Sequence, residues 1–348
     1  MRNPNDVFVN KKWVLSRRPE GHFDAAKDCE QEEELIRPDD LDDDQVLIQV
    51  TAIGIDAFIR VMLNETEDGG KNRVHGAINL GDVIPANAIG RVVRSGKNAK
   101  FPPGRLVTGL FGGQTFVKAK TAMPVLQIPG VAHHKYLSLF SVSGLTAYVG
   151  VNSVLKAPRK RETVVVTAAA GATGSIAAQL AKLKGSRVIG VAGGPEKCQF
   201  LVDELGLDGA IDYKDKSKSL SEQFQEQCPD GIDFMYDNVG GDCLNEALLH
   251  IAKHGRVVLC GAISQYGSTK QQGPSNYIRL AEQSATMSGF VVLHYPFGMI
   301  CGFFTLLWLH FRGKIQSIEH VHKGINEFPK ALQGLFLGGN IGKPVIEV

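Results

Sequence analysis

The segment Thr167-Ala-Ala-Ala-Gly-Ala-Thr-Gly-Ser175 lies between the apolar run Thr163–Val166 and the helical pattern Ile176-Ala-Ala-Gln-Leu-Ala-Lys-Leu183. So many small residues between a strand and a helix serve either tight packing or the close approach of another molecule to the backbone. Ala169-x-Gly171-x-x-Gly174 matches the dinucleotide pattern G-x-G-x-x-G with alanine at the first position. In that pattern the second glycine admits a pyrophosphate to the backbone, and the third lets helix and strand pack closely. The helix N-terminus adds unpaired N–H groups and the positive end of its dipole. The pattern alone is weak. A strand before it, a helix after it and a second strand within about thirty residues supply the context it needs.

Outward from this segment, short apolar runs alternate with helical patterns, which predicts parallel βαβ units. The runs are Val164–Ala168, Val188–Ala192, Ala210–Tyr213, Phe234–Val239, Val257–Gly261 and Met287–Val292. Helices are predicted near 175–184, 195–205, 219–227, 242–253 and 276–284. Six such strands make a full doubly wound α/β dinucleotide-binding sheet of the Rossmann type. The first 135 residues instead hold short alternating runs (Val46–Ile53, Ile89–Arg94, Leu106–Thr108, Thr115–Ala119) and the turn Pro102-Pro103-Gly104, which predicts a mostly β domain. The strand-like tail Pro344–Val348 is expected to return to that domain. The division read here is 1–135 with 310–348 for the β domain and 136–309 for the dinucleotide domain.

The end of the second strand speaks to the nucleotide. An NAD site places Asp or Glu there for the adenosine ribose, whereas this chain reads Val191-Ala-Gly-Gly-Pro-Glu-Lys197. Gly193 and Gly194 leave room for a phosphate, and Lys197 brings a cation to the first turn of the next helix. Tyr213, at the end of the third strand, can add a hydroxyl, and Glu196 is expected to face outward. NADPH is therefore the predicted cofactor. Taken singly, Lys197 reads as an ordinary exposed helix lysine.

Composition narrows the rest. With 38 basic and 36 acidic residues in 348, the formal net charge is +2, too small to suggest nucleic acid or an anionic membrane as partner. The acidic stretches Glu30–Glu34 and Asp39–Asp44 read as a solvated edge. Six scattered cysteines without a CxxC pair suggest free thiols and a reducing, cytoplasmic setting. The first dozen residues mix Arg2, Asp6 and Lys11, so no secretory leader is expected. Phe297–Phe311 is too short to span a bilayer and reads as a buried or interface helix. Monomer and homodimer both remain open.

No metal is expected. Catalytic zinc needs about three Cys, His or carboxylate ligands, yet only Cys29 precedes residue 198, and the adjacent His133 and His134 point in different directions. Without a Lewis acid, a nicotinamide enzyme is better suited to enones than to isolated ketones. Hydride addition to the β-carbon of an enone spreads the charge into an enolate that hydrogen-bond donors can hold. C=C reduction of activated alkenes is the first expectation, quinone reduction the second, and a catalytically idle NADPH-binding protein the third.

Ala168-Ala-Ala-Gly-Ala-Thr-Gly-Ser175, Glu196-Lys-Cys198, Tyr236-Asp-Asn-Val-Gly-Gly241, Cys260-Gly-Ala-Ile-Ser-Gln-Tyr266 and Gly339-Asn-Ile-Gly-Lys343 resemble the prostaglandin reductase / leukotriene B4 12-hydroxydehydrogenase family. The similarity runs from Ser16-Arg-Arg-Pro19 through Asp56–Arg60 and Gly144–Tyr148 to the C-terminus, and looks nearest the 15-oxoprostaglandin 13-reductase branch. The resemblance implies the medium-chain architecture, a GroES-like domain beside the Rossmann domain, with zinc-free NADPH chemistry on enone or lipid carbonyl substrates. It implies that Ala170, Gly171, Ala172 and Thr173 meet the pyrophosphate, with Gly174 beside them in the cofactor-binding turn, and Lys197 and Tyr213 the 2′-phosphate. Asn238 and Asn340 would hold other polar groups of the cofactor. Cys260, Gly261, Ala262, Ile263, Ser264, Gln265 and Tyr266 would run beside the nicotinamide ribose. The Tyr266 phenol would share the enolate oxygen with the ribose 2′-hydroxyl. Phe290, Val291 and Val292 would line the nicotinamide and the substrate, and Leu110 and Phe111 would form part of the lipid pocket.

Three departures fall toward the substrate. Phe58 stands where the family commonly has tyrosine, Val142-Ser143 replaces Met-Pro, and Gly113 takes the place of an aromatic. A wider pocket with fewer donors is expected, suited to bulky or simple enones. Arg60 reads as structural.

Overall fold

Valine and threonine fill Thr163–Thr167, a strand buried along its whole length (β1). β-Branched residues suit a pleated strand, and a run without polar alternation needs cover on both faces. The computed structural model, which describes residues 7–65, 76–268 and 272–348, places β1 inside a six-stranded sheet. Its companions are β2 (Arg187–Ala192), β3 (Gly209–Asp212), β4 (Ile232–Asp237), β5 (Ile251–Leu259) and β6 (Thr286–Gly289). The order is β3-β2-β1-β4-β5-β6, and every neighbouring pair runs parallel. The winding reverses between β1 and β4, and such a switch point leaves a crevice beyond the carboxyl ends of the strands.

The helices of this unit are α1 (Val142–Asn152), α2 (Ala172–Leu183), α3 (Pro195–Asp203), α4 (Leu220–Gln227), α5 (Gly241–Leu249), α6 (Ile278–Glu282) and α7 (Pro296–Phe311). One core gathers Val165, Ile189, Val191, Ile211, Phe224 and Leu248. The predicted helix 242–253 stops at Leu249, and β5 begins at Ile251. A left-handed residue at His254 (φ +61°) comes one residue past the predicted helix end and lies within the strand. Helix α7 buries only Gly302, Leu306 and Leu309. Phe297, Ile300, Phe304, Trp308 and Phe311 are 56–83% exposed, so within this chain the helix is not a buried one. No helix among the described residues is long and apolar enough to cross a membrane.

The chain divides into two units: Met1–Leu137 with Glu319–Asn340 and Pro344–Val348, and Ser138–Ile318 with Ile341–Lys343. A boundary at 309/310 would cut α7. Residues through 318 stay with the dinucleotide unit, where the Gln179 amide donates to Gln316 O and accepts from Gln316 N–H, both at 2.8 Å. The segment 341–343 joins the same unit: Gly342 N–H donates to Ala170 O at 2.7 Å and Lys343 N–H to Ile318 O at 2.8 Å.

The other unit is built on a seven-stranded sheet. Strand 46–54 pairs antiparallel with 87–95, with 116–119 and, at residues 52–54, with 345–347 of the tail. Its core includes Val46, Ile48, Ile53, Ile59, Ile84 and Phe328. The acidic stretch expected as a solvated edge is a strand. Cys29–Ile36 pairs antiparallel with Phe8–Leu15, setting Lys11 opposite Glu33 and Lys12 opposite Glu32, with ion pairs of 3.6 and 3.2 Å.

Candidate active site

β1 ends at Thr167, and the chain turns through Ala168, which takes a φ of +49°. That left-handed conformation costs an alanine about 1 kcal/mol. Gly171 precedes α2 with no side chain capping the helix. Gly171 forms a parallel bridge with Gly342, while the first-turn N–H groups of Thr173 and Gly174 have no partner among the described residues and remain for an anion. The two glycines do different work. A Cβ on Gly174 would fall 2.2 Å from Ala168 O, so packing of strand and helix demands glycine. A Cβ on Gly171 would meet only Ala168 O, at 3.1 Å, so its open side is what a pyrophosphate would use.

β2 ends at Ala192, and Gly194 (φ +96°) precedes α3, whose first residue is Pro195. Lys197 stands half-buried on the first turn. Burial lowers its pKa and the neighbouring Lys214 lowers it further, while Glu196 partly offsets both. Among the described residues Lys197 has no hydrogen bond or ion pair, and Glu196 is exposed. Tyr213, one residue past β3, lies over Gly193, where a Cβ would sit 2.6 Å from the phenol Cζ. An ammonium with no ion pair among the described residues, a phenol and a bare backbone thus line one edge of the sheet. These groups fit a phosphate on the adenosine ribose, since the ammonium makes no ion pair among the described residues and the glycines leave the space.

β4 ends on Asp237, which is wholly buried. Its carboxylate accepts from Thr167 Oγ1 (2.7 Å), Val239 N–H (3.1 Å) and Gly240 N–H (2.9 Å). Burial pushes its pKa up and the three donors pull it back. The Asn238 amide donates to Thr167 O at 2.7 Å, which ties β4 to β1 and leaves Oδ1 without a donor among the described residues. Sequence reasoning missed Asp237 and Thr167. A carboxylate ending an apolar strand beside Asn-Val-Gly-Gly was the available signal.

β5 runs into Cys260, Gly261, Ala262, a 3-10 turn Ile263–Gln265 and Tyr266. The loop is sewn to the end of β4: Cys260 N–H donates to Asp237 O (2.8 Å), Ile263 N–H to Asn238 O (3.1 Å) and Ser264 Oγ to Val239 O (2.6 Å). The Tyr266 phenol folds over Gly261, where a Cβ would lie 2.8 Å from its oxygen, and it accepts Ala262 N–H at 3.3 Å. Burial pushes its pKa up against the pull of that N–H, so it stays a protonated donor at neutral pH. Burial also pushes the Cys260 thiol up to about 12, which makes it a small hydrophobe and not a nucleophile.

Past β6, the Phe290 ring packs near Gly150, whose Cβ would be 3.0 Å from Phe290 Cζ, and meets Tyr295 edge-on at 6.1 Å. Val291 is partly exposed and Val292 is buried. Residues 170–174, 193–197, 213, 238, 260–266 and 290–292 thus follow the carboxyl ends of strands in one sheet, where a doubly wound fold binds nucleotides.

In the other unit, Leu110 ends strand 106–110 and is 53% exposed, whereas Phe111 is 4% exposed and belongs to the core. Phe58 is partly buried against the same core. Asn340 is buried near the end of that unit's segment Glu319–Asn340. Arg60 is buried and donates to Pro19 O (3.0 Å) and Gly21 O (2.6 Å), a structural clamp. Among the described residues, no group of three or more His, Cys, Asp or Glu side chains is gathered as a metal site requires.

Residues 172–298 match the family model described as zinc-binding dehydrogenase, and residues 11–126 match one described as the N-terminal domain of oxidoreductase. The chain is 34% identical over 345 residues to prostaglandin reductase 1 of Mus musculus, covering 97% of this chain and 98% of the relative. It is 35% identical over 271 residues to the NADP(+)-dependent 2-alkenal reductase of Nicotiana tabacum, covering 77% and 78%. The crystal structure of CurA from Vibrio vulnificus in complex with NADPH superposes with a TM-score of 0.88 at 29% identity, covering 97% of this chain and 99% of that one. Similarity to prostaglandin reductase 1 over nearly the full length of both chains, on a fold shared with CurA, is the resemblance that the five motifs carried, and the chain belongs to the prostaglandin reductase family of medium-chain oxidoreductases.

Proposed function

We propose that this chain is an NADPH-dependent reductase of the C=C bond of α,β-unsaturated aldehydes and ketones. The observation that carries the proposal is the half-buried Lys197, without an ion pair among the described residues, beside Gly193 and Tyr213, at the edge of a sheet whose Gly171 turn is open to a pyrophosphate. The relatives named as prostaglandin and 2-alkenal reductases support the reaction class. When bound, NADPH supplies a hydride to the β-carbon of the alkene. The chain's own part is to bind and orient. The α2 N-terminus and Gly171 hold the pyrophosphate, Lys197 and Tyr213 the 2′-phosphate, and Asn238 Oδ1 accepts from a cofactor donor. Tyr266, kept protonated by burial, donates to the oxygen on which enolate charge develops. Solvent then protonates the α-carbon. Holding the reactants in near-attack geometry supplies much of the rate without an acid group carrying the reaction.

The test is NADPH absorbance followed with straight-chain enones, 2-alkenals, 15-oxo-prostaglandins and a naphthoquinone. Turnover of enones or alkenals is expected to exceed that of the quinone; turnover of the quinone alone would refute the proposal.

A further inference from the structure

One carboxylate stands in the phosphate pocket. Asp212, the last residue of β3, would repel a phosphate if its charge faced one. Its Oδ1 instead accepts two backbone N–H groups, from Gly194 at 2.7 Å and from Lys214 at 2.9 Å. Buried Gln223 grips the same residue from behind, accepting Asp212 N–H at 2.9 Å and donating to Asp212 O at 3.0 Å. Asp212 is therefore fixed, and through one oxygen it fixes the loop after β2 to the loop after β3. Lys197 stands on the first turn of α3, directly after the first of these loops. The second carries Tyr213, stacked on Gly193, and Lys214, whose Nζ lies 6.0 Å from the Tyr213 ring centroid.

We propose that the 2′-phosphate is held by two cations, Lys197 and Lys214, and that Asp212 is the positioning residue that sets them across Gly193 from each other. The inference rests on the NADPH reading above and deepens it. The field that Lys214 exerts on Lys197 agrees with this convergence. Two ammonium groups brought together without an anion raise each other's energy, and a phosphate of nearly two negative charges relieves both. What Asp212 contributes is an acceptor oxygen, and asparagine would retain one.

The test uses the full chain and calorimetric titration with 2′,5′-ADP and 5′-AMP, which differ by the 2′-phosphate and need no turnover. Wild type is expected to bind 2′,5′-ADP far more tightly. Equal binding would overturn the NADPH reading itself. Given that preference, Lys214→Met is expected to weaken 2′,5′-ADP by about 10-fold, the loss of one charged hydrogen bond, with 5′-AMP within about two-fold. Asp212→Ala should produce the same selective loss, and Asp212→Asn should bind 2′,5′-ADP at least as well as wild type. The inference is overturned if Lys214→Met leaves 2′,5′-ADP binding intact, if Asp212→Ala weakens both nucleotides alike, or if Asp212→Asn is as impaired as Asp212→Ala. Should Asp212→Ala fail to fold, Lys214→Met and Asp212→Asn still decide it.

Discussion

Replacing Lys197 by methionine separates binding from stability. A net hydrogen bond to a charged group contributes about 1.5–3 kcal/mol. Lys197 is half-buried and Lys214 keeps part of the field, so about 2 kcal/mol of 2′-phosphate affinity is expected to go, at about 1.4 kcal/mol per tenfold roughly a 30-fold rise in KM for NADPH. NADH, which lacks that phosphate, should be unaffected. The folded protein should not suffer. Burial and Lys214 depress the Lys197 pKa below the ordinary lysine value of 10.5. The folded state therefore binds fewer protons than the unfolded one between those two pKa values, and stability rises with pH across that window. Below it the charged form carries its full cost, which methionine removes. Lys197→Met should accordingly melt no lower than wild type at pH 7. The assays are steady-state kinetics with each nucleotide and a thermal melt of the apoprotein. Equal losses with NADPH and NADH, or a lowered Tm, would refute the reasoning.

Tyr266→Phe should lower kcat with an enone by about 10-fold or more, the scale for removing one oxyanion donor, with KM for NADPH little changed; an unchanged kcat would remove Tyr266 from the chemistry. Gly342→Ala forces a Cβ to 2.2 Å from Ile318 O at a φ of +76°, so a loss of about 2 kcal/mol or more in urea unfolding is expected. With Cys243 buried, Cys260 partly buried and both thiols pushed far above neutrality, iodoacetamide at pH 8 should label exposed Cys301 first; mass spectrometry showing Cys260 labelled at the same rate would contradict its inert character.

The dinucleotide sheet was legible because its strands are short, apolar and separated by helical patterns. Each of the six predicted runs overlaps the observed strand, and the errors lie at ends. The predicted Phe234–Val239 strand begins at Ile232 and stops at Asp237, where the buried carboxylate takes the next N–H groups. The hairpin 8–15/29–36 was not legible. Its second strand is exposed along Glu30–Glu33, so no alternation marks it, and pairing with lysines across the register replaces burial. Of the proposed site, the glycines, Lys197 and Tyr213 were legible because the chemistry of a phosphate calls for them. Asp212, Asp237, Thr167 and Gly342 were hidden, since each acts by holding backbone from another strand or segment. Phe111 read as a pocket residue, and its packing into the core of its unit depends on neighbours distant in sequence.

The most direct test of the central claim uses NADPH deuterated at the transferring position of the nicotinamide, with a simple 2-enone and the wild-type chain. The product should be the saturated ketone with its carbonyl intact and one deuterium on the former β-carbon, seen by NMR. Deuterium on a carbinol carbon, or no transfer to any enone or alkenal offered, would contradict the account.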